Sequence, residues 1–270
     1  MQRTDKAVIL ARGLGSRMRA GSSVPLSADQ ASIAETGVKA MIPTGRPFLD
    51  YVLSSLADAG FTDVCLVIGP EHSVIRNYYQ KEAAPKRLRI HFAEQLRPLG
   101  TADAVLSAER FADGDAFAVL NSDNYYPPFV LARLRQLGEP GVVAFARSAL
   151  LELGNIAAAR ATRFGALDIG EDGYLRRILA KPDELMLRRG GEVYASINCW
   201  RFPSGIFRAC REVPLSPRGE LELPRAVQLA IDSHGLKLRA ITLRAPVLDL
   251  SSREDIAAVE QRLRDVEVSL

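Results

Sequence analysis

Cysteine, tryptophan and long apolar runs are scarce in this chain, and each scarcity removes a class of explanation. Cys65, Cys199 and Cys210 lie inside apolar stretches without metal-ligand spacing, which argues against a disulfide framework or a zinc site and for buried reduced thiols. No apolar segment approaches the roughly 20 residues that span a bilayer, so no membrane insertion is expected. Met1 to Lys6 is polar and runs straight into a short strand, with no basic region ahead of an apolar one, which points to the cytoplasm. An excess of one charge is missing too. With 35 Lys and Arg against 32 Asp and Glu, the net +3 is too small and too dispersed to suggest nucleic-acid binding. His72, His91 and His234 are scattered, and the chain has neither an internal repeat nor a low-complexity segment.

What is present is a regular alternation of elements. Ala7 to Ala11 reads as a buried strand, Pro47 to Ala59 as a helix closed by Gly60, and Val64 to Ile68 as a second buried strand. Leu88 to Phe92, a helix over Thr101 to Phe111, a strand at Ala116 to Leu120, a helix from Pro128 and a strand at Val142 to Phe145 continue the pattern. Beyond about residue 150, Arg163 to Leu179 alternates around Gly170 and Asp172-Gly173 as an antiparallel hairpin does. Val193 to Phe202 reads as another strand, and helices at Glu222 to Ser233 and Ser252 to Leu263 flank two short ones. The expected fold is α/β, a Rossmann-like, mostly parallel mixed sheet flanked by helices, with an antiparallel addition in the second half. Ala20 to Val38, rich in Ala and Ser, reads as a loop.

The first strand ends in Leu10-Ala11-Arg12-Gly13-Leu14-Gly15-Ser16-Arg17-Met18. Glycines after a buried strand let backbone N–H groups approach phosphate. Met18 stands where a dinucleotide fingerprint needs its third glycine, and the Gly, Lys, hydroxyl succession of a P-loop is missing. What remains is Gly-x-Gly-Ser-Arg, in which Arg17 can clamp a polyphosphate two-pronged. Asp123, in Leu120-Asn121-Ser122-Asp123-Asn124, stands just past a buried strand, where open α/β sheets bind ligands and where one carboxylate suits Mg²⁺.

At this loop the chain resembles the sugar nucleotidyltransferases, whose opening motif is an apolar strand followed by G-x-G-(S/T)-R-(L/M), and the resemblance continues in order to the end of the chain. It implies a single nucleotide-diphospho-sugar transferase domain over residues 1–270, with a nucleotide-binding half to about 150 and an acceptor-binding half from about 151. It implies nucleotide contacts from Leu10, Ala11, Gly13, Gly15 and Ser16, with Arg17 and Lys39 (in Val38-Lys39-Ala40-Met41) as the catalytic cations. Gln95-x-x-Pro98-Leu99-Gly100-Thr101-Ala102 is similar to the segment that reads the base, implicating Gln95, Gly100 and Thr101; Thr101 is also a candidate cap for the helix that follows it. Val247-Leu248-Asp249 looks like the closing motif, which makes Asp249 the metal partner of Asp123.

On the acceptor side, the resemblance implies that the Phe164-Gly165 turn meets the sugar through its backbone, that Asn198 of Ser196-Ile197-Asn198 hydrogen-bonds the sugar, and that Lys181 of Lys181-Pro182 holds the sugar's phosphate, giving Gly165, Lys181 and Asn198 as contacts. Ser216-Pro217-Arg218-Gly219-Glu220-Leu221-Glu222-Leu223 matches a stretch ahead of a helix that can cap and brace it. Two positions depart from the pattern. Ala180 replaces a glutamate that accepts hydrogen bonds from sugar hydroxyls, with Glu192 the first candidate to replace it, and Arg12 stands where a small residue is usual. The implied reaction is Mg²⁺-dependent transfer of a nucleoside monophosphate from an NTP to a sugar 1-phosphate, with pyrophosphate released. A phospho-alcohol such as phosphocholine is an alternative acceptor, and a non-catalytic nucleotide-binding regulatory subunit is an alternative role. The expected partners are these small molecules, with neither nucleic acid nor membrane, in a chain that can form a homo-oligomer.

Overall fold

The computed structural model describes residues 4–180 and 191–270. The strands are β1 (Lys6–Leu10), β2 (Asp63–Ile68), β3 (Arg89–Glu94), β4 (Phe117–Asn121), β5 (Asn124–Tyr125), β6 (Gly141–Ala146), β7 (Ala166–Ile169), β8 (Leu175–Leu179), β9 (Tyr194–Phe202), β10 (Arg239–Leu243) and β11 (Leu248–Asp249). The main sheet runs β10-β6-β9-β4-β1-β2-β3. β3, β2, β1 and β4 are mutually parallel, and β10 is parallel to β6. Chain order reverses between β1 and β4, so their carboxyl ends diverge into a crevice of the kind that binds ligands in open α/β sheets.

The central strands read as continuous apolar runs because both faces are covered. Ala7 and Ile9 of β1 pack with the helices Phe48–Asp58, Pro128–Gln136 and Ile256–Leu263. Val8 and Leu10 face the opposite way, onto the helices Thr101–Ser107, Ile206–Glu212 and Leu223–His234. All three cysteines are buried and free; burial pushes the Cys65 and Cys210 thiols to about 12 and Cys199 further up, which makes them inert core groups. Among the described residues, no helix is long and apolar enough to cross a membrane.

The antiparallel part is placed less simply than an addition to an edge. β9 is inserted between β4 and β6 and runs against both, while β7 pairs with β8 and touches β9. Ala20 to Val38 is also more ordered than a loop. Ser27 and Gln30 form a reciprocal capping box that starts a helix over Ala28–Thr36, and Gly37, at φ 77°, ends it. Only Ala34 of that helix is buried, so it lacks the apolar stripe by which helices are recognised in sequence. The expected helix over Thr101 to Phe111 is two pieces, Thr101–Ser107 and Glu109–Ala112, meeting at Ala108.

Candidate active site

A cavity of about 310 Å³ opens over the carboxyl ends of β1 and β4. Of the residues expected there, Leu10, Ala11, Gly13, Lys39, Gln95, Gly100, Thr101, Asp123 and Asn198 line it. Gly15, Ser16, Arg17, Gly165 and Asp249 stand outside its lining, and Lys181 lies outside the described residues. Arg17 is exposed on the one-turn helix Ser16–Arg19 and makes no ion pair among the described residues.

The glycine loop is held by its backbone. Ala11 N–H donates to the Val67 carbonyl at 2.9 Å, and Gly15 adopts φ 60°. A Cβ on Gly15 would overlap the Gly37 carbonyl oxygen, so two glycines let this loop touch the segment that carries Lys39. Gly15→Ala is therefore expected to destabilise the protein by about 2 kcal/mol or more and to displace Lys39. Chemical denaturation checks the first part; an unchanged midpoint would mean the loop is free to move.

Lys39 begins a 3₁₀ turn, Lys39–Met41, and its ammonium is ion-paired with Asp123, each side chain less than one-fifth exposed. Asp249 arrives beside Asp123 through the small β5–β11 ladder, in which Asp249 stands opposite Asn124 and Leu250 N–H donates to the Asp123 carbonyl at 2.8 Å. Asn155 fixes the Asp249 backbone from both sides, at 2.8 and 2.9 Å. Asp249 is only 3% exposed. Burial, and then the Asp123 charge, raise its carboxyl from 3.8 to about 6, against a hydrogen bond from Ser251 at 2.6 Å and the pull of Arg160. Arg160 lies 3.5 Å from Asp249 but is committed at 2.5 and 2.7 Å to Asp255. Two carboxylates thus stand close together, Asp123 paired with Lys39 and Asp249 sharing an Arg160 that is bound more closely to Asp255.

That donor set fits Mg²⁺, which takes one or two protein carboxylates and completes its shell with phosphate oxygens and water. Among the described residues no group of three or more His, Cys, Asp or Glu could hold a metal unaided, so an ion at Asp123 and Asp249 would need oxygens from a ligand.

At the other end of the cavity, Gln95 Nε2 donates to the Gly100 carbonyl at 3.0 Å and to Asp103 at 2.7 Å, leaving Oε1 without a protein partner among the described residues. Gly100, at φ 115°, runs against the Leu221 backbone so closely that no side chain fits. Thr101 does not cap its own helix. Its Oγ1 accepts from Leu223 N–H at 2.8 Å and so serves the first turn of the helix Leu223–His234. Leu99 and Leu221 are joined at 2.7 Å, and Ala102 and Leu221 at 2.8 Å. This stitching brings Glu220 into the cavity wall, a placement the R-G-E-L-E-L stretch signalled only as a brace.

Asn198 sits at a bulge. Between the pairs Val142 with Trp200 and Ala144 with Ser196, Ile197, Asn198 and Cys199 of β9 stand against Val143 alone. Asn198 takes φ 47°, donates to Asn121 at 3.1 Å and accepts from Trp200 Nε1 at 3.1 Å, and Asn121 donates on to Asn124 at 2.9 Å. A left-handed backbone on a non-glycine residue, held by an amide chain in a cavity wall, is a feature that clusters at functional sites. Gly165 supports this strand from behind by accepting from Ser196 N–H at 2.9 Å. Glu192, the first candidate for the role of the missing glutamate, is engaged elsewhere. Its carboxylate is held by Ser148 and Arg244, which keep it below the usual carboxylate range despite partial burial, and it is absent from the cavity lining.

The chain is 28% identical over 261 residues to the UTP–glucose-1-phosphate uridylyltransferase AglF of Haloferax volcanii, covering 96% of this chain and 97% of that one. It is also 28% identical to a glucose-1-phosphate thymidylyltransferase of Streptomyces antibioticus, covering 97% of this chain and 67% of the relative. A UTP-bound UGPase from Acinetobacter baumannii shares the fold at TM-score 0.72, with 19% identity, 98% of this chain and 95% of that chain covered. Residues 6–258 match the nucleotidyl transferase family, and with the glycine loop, Lys39 and Asp123 at one crevice and Asp249 beside Asp123, the chain belongs to that family.

Proposed function

We propose that this protein transfers a nucleoside monophosphate from UTP or dTTP to a sugar 1-phosphate, glucose 1-phosphate being the first candidate, and releases pyrophosphate. The observation that carries this reading is the meeting of Asp123 and Asp249, from distant parts of the chain, beside Lys39 and the glycine loop at the switch point of the sheet. The names of the uridylyl- and thymidylyltransferase relatives support the choice of nucleotide and sugar.

In this reading the free backbone of the glycine loop meets the phosphates, and Lys39, released from Asp123, neutralises charge on them. Asp123 and Asp249 would hold Mg²⁺, which would supply charge stabilisation for phosphate oxygens. Phosphoryl-type transfer depends on positioning and electrostatics rather than on a protein nucleophile, which accords with inert, buried cysteines. The base end offers an unpaired acceptor, Gln95 Oε1, on a side chain whose Nε2 is held by the Gly100 carbonyl, and that acceptor suits the N3–H of uracil or thymine. Asn198 orients the acceptor from the bulge in β9. A purely regulatory binder would have little reason to bury Asp249 against a second carboxylate, because that arrangement is unfavourable until a cation arrives.

Pyrophosphate release measured over ATP, CTP, GTP, UTP and dTTP, each with glucose 1-phosphate, other hexose 1-phosphates and phosphocholine, tests the reading. Expected is turnover with UTP or dTTP and a sugar 1-phosphate; turnover only with phosphocholine would move the acceptor class, and none with any pair would remove the activity. Asn198→Asp keeps the volume, the tolerated backbone and the acceptor for Trp200, but replaces the Nδ2 donor to Asn121 with a carboxylate oxygen and brings a negative charge to the side of the cavity that meets the anionic sugar phosphate. It is expected to raise the KM for the sugar phosphate by roughly 10-fold or more, and to raise that for UTP less, because one charge-assisted contact is worth about 1.5–3 kcal/mol. Equal effects on both substrates would take Asn198 off the acceptor side.

A further inference from the structure

We infer that Arg12 is a positioning residue that locks the base-reading segment to the glycine loop through Gln95, and so sets nucleotide affinity without touching the reacting atoms. The inference rests on the nucleotide-binding reading of the cavity given above.

Arg12 lies two residues past the end of β1, lines the cavity and is 8% exposed, an unusual depth for a guanidinium. Nε donates to the Gln95 backbone carbonyl at 2.8 Å. Nη2 reaches the two Glu71 carboxylate oxygens at 3.0 and 3.4 Å, while Nη1 has no acceptor among the described residues. The groups it joins belong to the carboxyl ends of three strands: Arg12 to β1, Glu71 to the turn after β2, and Gln95 to the end of β3. β1 and β3 never pair, because β2 lies between them. Their ends are each registered on β2, through Ala11 N–H to Val67 and Gln95 N–H to Ile68, both at 2.9 Å. The Arg12 side chain adds a direct tie across that gap.

The tie acts on a residue with little other freedom. Gln95 is 4% exposed, its Nε2 is held by Gly100 and Asp103, and its carbonyl is held by Arg12, so the direction of its remaining acceptor is fixed from both ends. Removing Arg12 frees one end of Gln95 and leaves the acceptor half of the cavity, at Asn198, untouched. Lysine cannot substitute fully, since one ammonium on a flexible stem lacks the planar fork that serves two partners in fixed directions. Glu71, about half exposed, is the weaker anchor of the two.

The test is calorimetric titration of the wild-type chain, Arg12→Ala, Arg12→Lys and Glu71→Gln with UTP, and separately with glucose 1-phosphate, alongside steady-state kinetics. For Arg12→Ala, UTP affinity is expected to fall about 10- to 100-fold, with a matching rise in the KM for UTP, kcat within a few-fold and an unchanged KM for the sugar phosphate. Arg12→Lys should recover part of the loss, and Glu71→Gln should show a smaller one. Unchanged UTP affinity in a folded variant, or equal losses for both substrates, would overturn the inference. If Arg12→Ala fails to fold, the same split is read from Arg12→Lys, which keeps the charge. A wild-type chain that binds no UTP or dTTP would overturn the functional reading first, and this inference with it.

Discussion

Asp123→Asn is expected to lower turnover by roughly 10³-fold or more while the protein still folds, because the change removes a charge that both a divalent cation and Lys39 require, at near-constant volume. The Lys39 ion pair is lost at the same time. Both side chains line the open cavity, where water can reach the freed ammonium, so that loss costs on the order of 1–3 kcal/mol, below what would unfold a domain of this size. Turnover is measured in saturating MgCl₂ and folding by a thermal melt. A variant within a few-fold of wild type would take Asp123 out of the site.

Asp249→Asn separates stability from activity more sharply. The buried carboxyl is raised to about 6 by burial and by Asp123, so at neutral pH its ionised form is disfavoured in the fold relative to the unfolded chain. An asparagine keeps an oxygen for Ser251 and relieves the carboxylate repulsion. In the presence of a chelator the melting temperature of this variant is therefore expected to equal or exceed that of wild type, while turnover in MgCl₂ falls by about 10³-fold. A clear drop in melting temperature would make the Asp249 carboxylate a structural brace held by Arg160. An intact rate would leave Asp123 to act alone.

The contrast between these aspartates also shows how far the sequence is legible. Asp123 follows a strand buried on both faces, a continuous apolar run whose end marks the crevice without further information. Asp249 ends β11, which is two residues long and has no period to detect; its place beside Asp123 is visible in sequence only through resemblance, and in space through the ladder with β5. The same division holds elsewhere. Helix Phe48–Asp58 and strands β1, β2 and β4 are legible because their burial is regular, whereas the helix Ala28–Thr36 forms on a capping box with one buried residue.

β9 is readable as a strand, but its insertion between β4 and β6 and the bulge that turns Asn198 inward are set by partners distant in sequence. Arg12 and Glu220 are the clearest cases of what local reading misses. One is a charged residue whose partners lie at the ends of two other strands, and the other is brought to the cavity by the pairing of Leu99 and Ala102 with Leu221. Long-range hydrogen bonds of this kind carry no local periodicity.

The most direct measurement follows ³¹P resonances while the protein acts on UTP, and separately on dTTP, with glucose 1-phosphate and MgCl₂. The expected outcome is loss of the triphosphate and sugar-phosphate signals together, with pyrophosphate and a nucleotide diphosphate sugar growing in equal amounts and no orthophosphate. Conversion of the NTP to a nucleoside diphosphate and orthophosphate, with glucose 1-phosphate left intact, would contradict nucleotidyl transfer to a sugar phosphate.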